Sequence, residues 1–430
     1  MLTKAPKGTK DILPEEIHKW HYVETIFADI CRRFGFSEIR TPLFEHTELF
    51  ARGVGDTSDI VQKQMYSFED YGGRSITLRP EGTAGVVRSY IEHKVFADGK
   101  PTKYWYEIPC FRYEQPQSGR QREFHQFGIE IFGSENMLAD TEAISVAYTL
   151  FMELGIMDEI ELRINSIGCP KCRSAYREVL RAFLAPKYDE LCDTCKMRYE
   201  KNPMRILDCK SPICQELIKG APVMLDHLCD ECREAFSELQ QDLSAAKISF
   251  TIDPGIVRGL DYYTKTAFEF VTTAIGAQGT VCGGGRYDHL IEELGGPAVP
   301  GVGFGLGIER LLLLLGTYED RIPAQNPPDA LIVFMGDPAK EKALSLLNAL
   351  RTVGLAVELD VCARSTKNQF KHADKTGVRF AVILGENELA SGKAAVKDMN
   401  TGEQQDVDFE ALADFIKQEH IKIQRLDKRS

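Results

Sequence analysis

The stretch FRYEQPQSGRQREFHQFGIEIFG, residues 111–133, decides how the rest of the chain is read. Its ends alternate with a period of two and its middle, Gln115–Arg122, is polar, the pattern of two strands around a long loop. On the returning strand Phe127, Ile129 and Ile131 form a continuous apolar side, while Phe124, Gln126, Gly128 and Glu130 share the opposite side. At the same periodicity Arg112 and Glu114 share a face. An arginine, two acids, an amide, an aromatic ring and a glycine suit either the wet side of an antiparallel pair or the floor of a binding site. Phe124 and Gly128 are poor choices for solvent and favour the floor.

Working outward, VPGVGFGLGIERL (299–311) has glycine at 301, 303, 305 and 307. A strand with one bare face admits a flat ligand or another tightly packed backbone. Arg310 follows where that strand runs into a helix, and no Gly-Lys-Ser/Thr follows the glycines, which excludes a P-loop. In CGGGRYDHL (282–290) three glycines before Arg286-Tyr287-Asp288 imply a backbone that hugs a ligand. In TLRPEGTAG (77–85) Pro80 fits a helix start and Glu81 the acid-favouring first turn. Glu81 therefore either caps a helix or, with Thr83, receives an ammonium group. In VRGLDYYTKT (257–266) an arginine interrupts an apolar approach and is followed by Asp261 and two tyrosines. Arg258 either pairs with Asp261 or supplies a fixed positive charge to a ligand.

A chain of 430 residues has room for two or three domains. Its longest apolar run, Ile308–Leu315, is broken by Glu309 and Arg310 and is too short to cross a membrane. MLTKAPKGTKD, at the start of the sequence, has no apolar run, so a secretory signal is not expected and a cytoplasmic enzyme is. A net charge of −12 argues against non-specific coating of nucleic acid but leaves room for a local basic face. Of the 12 cysteines, eight fall between Cys169 and Cys232, a clustering that suggests metal or free thiols rather than disulfides. Cys169, Cys172, Cys192 and Cys195 have ribbon-like zinc spacing, which leaves Cys209, Cys214, Cys229 and Cys232 as a second four-thiolate set. Structural zinc and reduced thiols are the two readings.

A helix is expected over 17–34, a strand near 38–40, and a helical insertion over about 168–240. Strand and glycine signals resume over 250–307, and RIPAQNPP (321–328) reads as a linker. Beyond it, strands at 331–335, 356–361 and 380–384 alternate with helices near 338–352, 366–376 and 409–419, a compact α/β domain. Lys367, Lys371 and Lys375 lie on one face of the second of these helices. Such a stripe is either a solvated surface or a set of phosphate contacts.

GTKDILP (8–14), TLRPEGTAG, the 111–133 stretch, VRGLDYYTKT, CGGGRYDHL and GFGLGIERL, in this order, resemble the histidyl-tRNA synthetases over essentially the whole chain. The 111–133 and GFGLGIERL stretches resemble motifs 2 and 3 of class II aminoacyl-tRNA synthetases, and the segment around Arg40–Glu45 resembles motif 1. The resemblance implies an α+β fold: a six-stranded antiparallel class II sheet with flanking helices and the helical insertion in a catalytic domain over 1–325. An α/β anticodon-binding domain would follow over 326–430. It also implies a homodimer shaped by motif 1, and ATP-dependent ligation of L-histidine to tRNA(His) through histidyl-adenylate, with Mg2+.

By the same resemblance Arg112 holds the α-phosphate, Arg310 and Arg120 the γ-phosphate side, Phe124 stacks on adenine and Glu114 accepts from its amino group. Glu81, Thr83 and Gln126 would hold the α-ammonium. Glu130, Tyr262, Tyr263 and Tyr287 would surround the imidazole. Arg258 matches an arginine beside the α-phosphate and substrate carboxylate, and with Arg112 is the expected catalytic pair.

Overall fold

The structure, a computed structural model, describes residues 3–427 apart from 56, 57, 59, 100, 210, 258, 259, 277, 278, 319 and 320, with side chains to 419. The chain divides into two compact units between Pro323 and Ala324, inside the proline-rich stretch.

The first unit opens with α1 (Pro14–Arg33), β1 (Ser37–Glu38), β2 (Phe44–His46), α2 (Thr47–Val54), β3 (Tyr66–Glu69) and β4 (Ser75–Leu78). Then come α3 (Thr83–Glu92), the long hairpin β5 (Thr102–Phe111) and β6 (Glu123–Phe132), α4 (Leu138–Glu153) and β7 (Glu161–Ser166). The insertion carries α5 (Pro170–Leu184), α6 (Asp193–Lys201), α7 (Pro212–Leu217) and α8 (Asp230–Ala245). The unit closes with β8 (Thr251–Ile252), β9 (Thr264–Val271), β10 (Thr280–Arg286), α9 (Leu290–Glu293), β11 (Gly301–Gly307) and α10 (Ile308–Leu315).

Eight strands pair in the order β1-β5-β6-β11-β10-β9-β7-β8. The inner six are antiparallel throughout, and only the two-residue edge strands β1 and β8 run parallel to their neighbours. β2, β4 and β3 form a small separate sheet. The period-two pattern of β6 accounts for the layering. Phe127, Ile129 and Ile131 enter a core with α1 and α4, while the even-numbered residues face the side carrying α3 and α9. α1 starts with proline, carries Glu15 and Glu16 in its first turn and Arg32 and Arg33 in its last, and turns Trp20, Val23, Phe27 and Ile30 inward. Phe27 stacks on Phe127 at 4.3 Å between ring centroids.

Arg286 does not serve the ligand side. Strand alternation sends it into the α4 side, where it is 1% exposed, pairs with Asp140 and donates to the carbonyls of Ser134 and Asn136. A charge at that depth requires such a set of partners.

The second unit contains β12 (Ala330–Phe334), α11 (Asp337–Thr352), β13 (Val357–Leu359), α12 (Thr366–Thr376), β14 (Phe380–Leu384), α13 (Glu386–Ser391), β15 (Lys393–Asp398), β16 (Gln404–Asp408) and α14 (Leu412–Asp427). Its sheet order is β13-β12-β14-β15-β16, parallel in the first three strands and antiparallel in the rest. Sequence patterning finds the parallel strands because both their faces are apolar. It misses the β15–β16 hairpin, whose β16, QQDVD, buries only Val407.

Candidate active site

The even-numbered face of β6, the glycine face of β11 and the start of α3 enclose a cavity of about 1170 Å³. That exceeds the roughly 300–1,000 Å³ typical of a single small-molecule site and leaves room for two substrates. Glu81, Thr83, Gln126, Tyr262 and Tyr263 line it, as do Arg112, Glu114, Arg120, Phe124 and Arg310. Residues more than 200 positions apart are thus brought into one wall.

Glycine makes the floor possible. A Cβ at Gly303 would collide with the Glu130 carboxylate, and one at Gly305 with the Gln126 amide. The bare face of β11 therefore accommodates the polar side chains of β6. Gly128 has a different role from the one its sequence suggests: its missing side chain makes room for the ring of Tyr106, its cross-strand partner, not for a ligand.

Glu81 fulfils its structural reading while facing the cavity. Its carboxylate accepts from the backbone N–H groups of Thr83 (2.7 Å) and Ala84 (2.9 Å), capping α3, although it is only 3% exposed. Pro80 is not at the helix start as expected. It lies ahead of the N-cap Gly82, and its carbonyl accepts from Arg112 Nε at 2.8 Å, fixing that guanidinium. Burial pushes the Glu81 carboxyl pKa upward.

Glu130 and Tyr287 do not line the cavity; they lie behind it. Glu130 is fully buried and accepts from Thr83 Oγ1 (2.7 Å), from the Tyr106 hydroxyl (3.0 Å) and from the Tyr287 hydroxyl. Burial, reinforced by the nearby Glu81 charge, pushes its pKa up to about 8 against the pull of those hydroxyls. Tyr106 was not legible as a site residue, although the glycine directly opposite it on β6 is the signal that could have found it.

The other end of the cavity is cationic. Arg112 and Glu114 are loop residues rather than strand residues. β5 ends at Phe111 and the chain turns tightly, the Glu114 N–H donating to the Arg112 carbonyl at 2.7 Å. Both still face the cavity, and the Arg112 guanidinium lies 5.0 Å from the centroid of the Phe124 ring. Glu114 pairs with Arg120 at 3.0 Å. Arg310 donates to the carbonyls of Gly119 (3.1 Å) and Thr280 (2.5 Å), tying the loop after β5 to β10. Burial, and after it the charge of Arg120, lowers the Arg310 pKa. Arg258 and Gly259 lie outside the described residues. The Asp261 carboxylate, the other candidate partner of Arg258, accepts from Arg205 (2.8 Å) and Asn202 (3.3 Å) of the insertion.

The eight clustered cysteines form two groups, but not the groups read from chain order. Cys169, Cys172, Cys229 and Cys232 converge in one, Cys192, Cys195, Cys209 and Cys214 in the other. The physical reason is that Cys169 and Cys229 are the N-cap residues of α5 and α8, whose packed N-termini bring the outermost pairs together. Either group could hold a metal ion. On α12, Lys367, Lys371 and Lys375 are exposed, as a stripe requires.

Known proteins resemble this chain over nearly its full length. A family model described as histidyl-tRNA synthetase matches residues 8–311, and one for an anticodon binding domain matches residues 329–419. A histidine–tRNA ligase of Caldanaerobacter subterraneus is 55% identical over 417 residues, 97% of this chain and 100% of the relative. One from Clostridioides difficile is 54% identical over 419 residues, again 97% and 100%. The crystal structure of apo histidyl-tRNA synthetase from S. aureus aligns with a TM-score of 0.83 at 41% identity, covering 96% of this chain and 99% of that one.

Proposed function

The chain belongs to the histidyl-tRNA synthetase family, and from that premise we propose that it ligates L-histidine to its cognate tRNA through a histidyl-adenylate formed from ATP. The observation that carries this reading is one cavity with two electrostatic ends. Two carboxyl groups, Glu81 on the wall and Glu130 behind it, mark one end, while Arg112, Arg120 and Arg310 make the other cationic. Histidine brings an ammonium and an imidazole to the first end, and ATP brings phosphates to the second.

In the first step a carboxylate oxygen of histidine bonds to the α-phosphorus of ATP, and the bond to the β-phosphate bridging oxygen breaks, releasing pyrophosphate. Positioned cations around the α-phosphate are the main source of stabilisation for such a transfer. Arg112, held by the Pro80 carbonyl, and Arg258 are the groups we assign there. Arg310 and Arg120 take the γ-phosphate side, with guanidinium forks suited to phosphate oxygens. Phe124 stacks on adenine and Glu114 accepts from its amino group. Glu269, a hard oxygen donor lining the cavity, would hold the Mg2+ that accompanies ATP, and the ion would supply positive charge to offset the phosphates.

Glu81, Thr83 and Gln126 receive the ammonium. Tyr262 and Tyr263 face the imidazole, backed from behind the wall by Tyr287 and Glu130, a site whose unpaired polar groups would reject an apolar isostere by roughly 10⁴-fold. In the second step a terminal ribose hydroxyl of the tRNA attacks the mixed anhydride carbonyl, and AMP leaves. The exposed lysine stripe on α12 fits phosphate contacts to that tRNA. A homodimer, cytoplasmic residence and zinc in the cysteine groups complete the reading. ATP–pyrophosphate exchange measured with each of the twenty amino acids tests it. Histidine alone is expected to stimulate exchange, and no stimulation by histidine overturns it.

A further inference from the structure

The insertion has a small core of its own, in which cysteine is a large part. Its helices pack around Tyr176, Leu180, Leu184, Leu191, Met204, Ile206, Met224 and Leu228, and Cys172, Cys195, Cys209, Cys214 and Cys232 fill the remaining interior. Thiols bury little apolar area, and a small helical unit with such a core ordinarily needs a cross-link or an ion.

The sulfur geometry distinguishes the two. All four Sγ atoms of each group lie within 4.8 Å of one another. Among them Cys169–Cys172 is 3.6 Å, Cys169–Cys229 4.0 Å and Cys192–Cys209 3.9 Å. A disulfide needs about 2.05 Å. Four sulfurs each ~2.3 Å from one ion define a tetrahedron with edges of about 3.8 Å, which these separations match. An iron–sulfur cluster, with several metal atoms between its ligands, holds its cysteines further apart. Backbone donors complete each group: Cys229 N–H points at Cys172 Sγ (3.0 Å), Cys192 N–H at Cys214 Sγ (3.4 Å) and Ser211 N–H at Cys209 Sγ (3.4 Å). Such bonds stabilise thiolates around a cation.

We propose that the insertion is folded by two zinc ions in nested tetrathiolate sites: an outer site of Cys169, Cys172, Cys229 and Cys232, and an inner site of Cys192, Cys195, Cys209 and Cys214. This deepens the zinc reading above by fixing the number of ions, their ligands and their role. Each ion displaces the thiol protons of its four ligands to solvent, and no cysteine is oxidised. The inner ion closes the segment that contains Asn202 and Arg205, whose side chains donate to the Asp261 carboxylate immediately before Tyr262 and Tyr263. Cys192 and Cys209 also reach the wall of the catalytic cavity. The inner site therefore braces the histidine end of the active site, a consequence that rests on the proposed function.

Protein purified without chelators is expected to carry about two zinc ions per chain by elemental analysis, to be colourless, and to give tetrahedral thiolate bands after cobalt(II) replacement. Fewer than about 0.2 zinc per chain, or visible colour from bound iron, overturns the assignment. Paired serine variants test the nesting. Cys169→Ser with Cys229→Ser removes one ion if the sites are nested and both if they follow chain order. Cys169→Ser with Cys192→Ser gives the reverse result. The cobalt spectrum of the surviving site in the first variant reports that the insertion is still folded. Cys192→Ser with Cys214→Ser, which keeps the outer ion, is expected to weaken histidine binding about 10-fold in equilibrium dialysis; unchanged affinity overturns the bracing role. Wild-type protein that binds no histidine yet holds two zinc ions would sink the proposed function and leave the metal sites standing.

Discussion

Replacing Glu130 with glutamine separates the two consequences of burying a carboxylate behind the active site. Glu130 is fully buried, accepts from Thr83, Tyr106 and Tyr287, and has its pKa raised to about 8, first by desolvation. In the unfolded chain the same group titrates near the ordinary 4.5. Between these values the folded state retains a proton that the unfolded state has lost, so stability falls as pH rises. Integrated from pH 4 to pH 8, the loss is about 4 kcal/mol, at up to ~1.4 kcal/mol per pH unit. Glutamine resembles the protonated acid in shape and cannot titrate. Glu130→Gln should therefore match wild type near pH 4.5 to within about 1 kcal/mol and become more stable than wild type as pH rises toward 8. Urea unfolding followed by tryptophan fluorescence is the appropriate assay, because both tryptophans, Trp20 and Trp105, lie in the first unit and report on it alone. Activity should move the other way. Loss of the charged acceptor costs about 3 kcal/mol in the transition state, or roughly 10²-fold in kcat/KM for histidine in pyrophosphate exchange at pH 8. Parallel pH–stability curves for the two proteins, or an unchanged kcat/KM, would refute the reasoning.

The Arg286–Asp140 pair should behave as a structural device. Arg286→Met leaves a fully buried carboxylate unpaired and should cost about 3–5 kcal/mol in urea unfolding, most of it recovered by adding Asp140→Leu; a cost below 1 kcal/mol would contradict that role. Phe124→Ala removes both the adenine stack and the ring beneath Arg112, so KM for ATP should rise about 10-fold with KM for histidine little changed; the opposite pattern would place Phe124 in the histidine subsite. Lys367→Glu with Lys371→Glu should lower tRNA charging at least 10-fold at low salt, with the deficit narrowing as salt rises, while sparing pyrophosphate exchange; equal losses in both assays would deny α12 a role in tRNA contact.

Much of the catalytic layer was legible because strand alternation converts residue order directly into faces. Reading β6 with a period of two separates Phe127, Ile129 and Ile131 from Phe124, Gln126 and Glu130, and the structure keeps that separation. Alternation does not reveal register. That Tyr106 stands opposite Gly128, and so fills the space the glycine leaves, depends on pairing between strands and cannot be read along one of them. Arg286 was recoverable in principle. It alternates with Cys282 and Gly284 toward the α4 side, and Asp140 is the buried acid of that helix. The cysteines show the same limit on a larger scale. Spacing identifies each Cys-x-x-Cys pair as local, but which pair meets which is decided by the packing of α5 against the start of α8, a tertiary fact.

The two ends of the cavity share a physical logic that neither end shows alone. Glu81 and Glu130 are desolvated beside each other, and both carboxyl pKa values are raised. Arg310 is desolvated near Arg120 and Arg112, and its pKa is lowered. Each end thus holds like-charged groups that burial and mutual repulsion disfavour, and a ligand group of opposite sign would relieve each. On the proposed function, histidine's ammonium would relieve Glu81 and ATP's phosphates would relieve the guanidinium groups. Glu81 serves both needs at once, since the N–H groups of Thr83 and Ala84 hold its carboxylate in place when no ammonium is present. Arg112 is held in the same way by the Pro80 carbonyl, one residue away from Glu81. The adjacent residues Pro80 and Glu81 therefore orient one charge on each side of the cavity, which on the proposed function would direct the carboxylate of a bound histidine toward the guanidinium groups assigned to the α-phosphate.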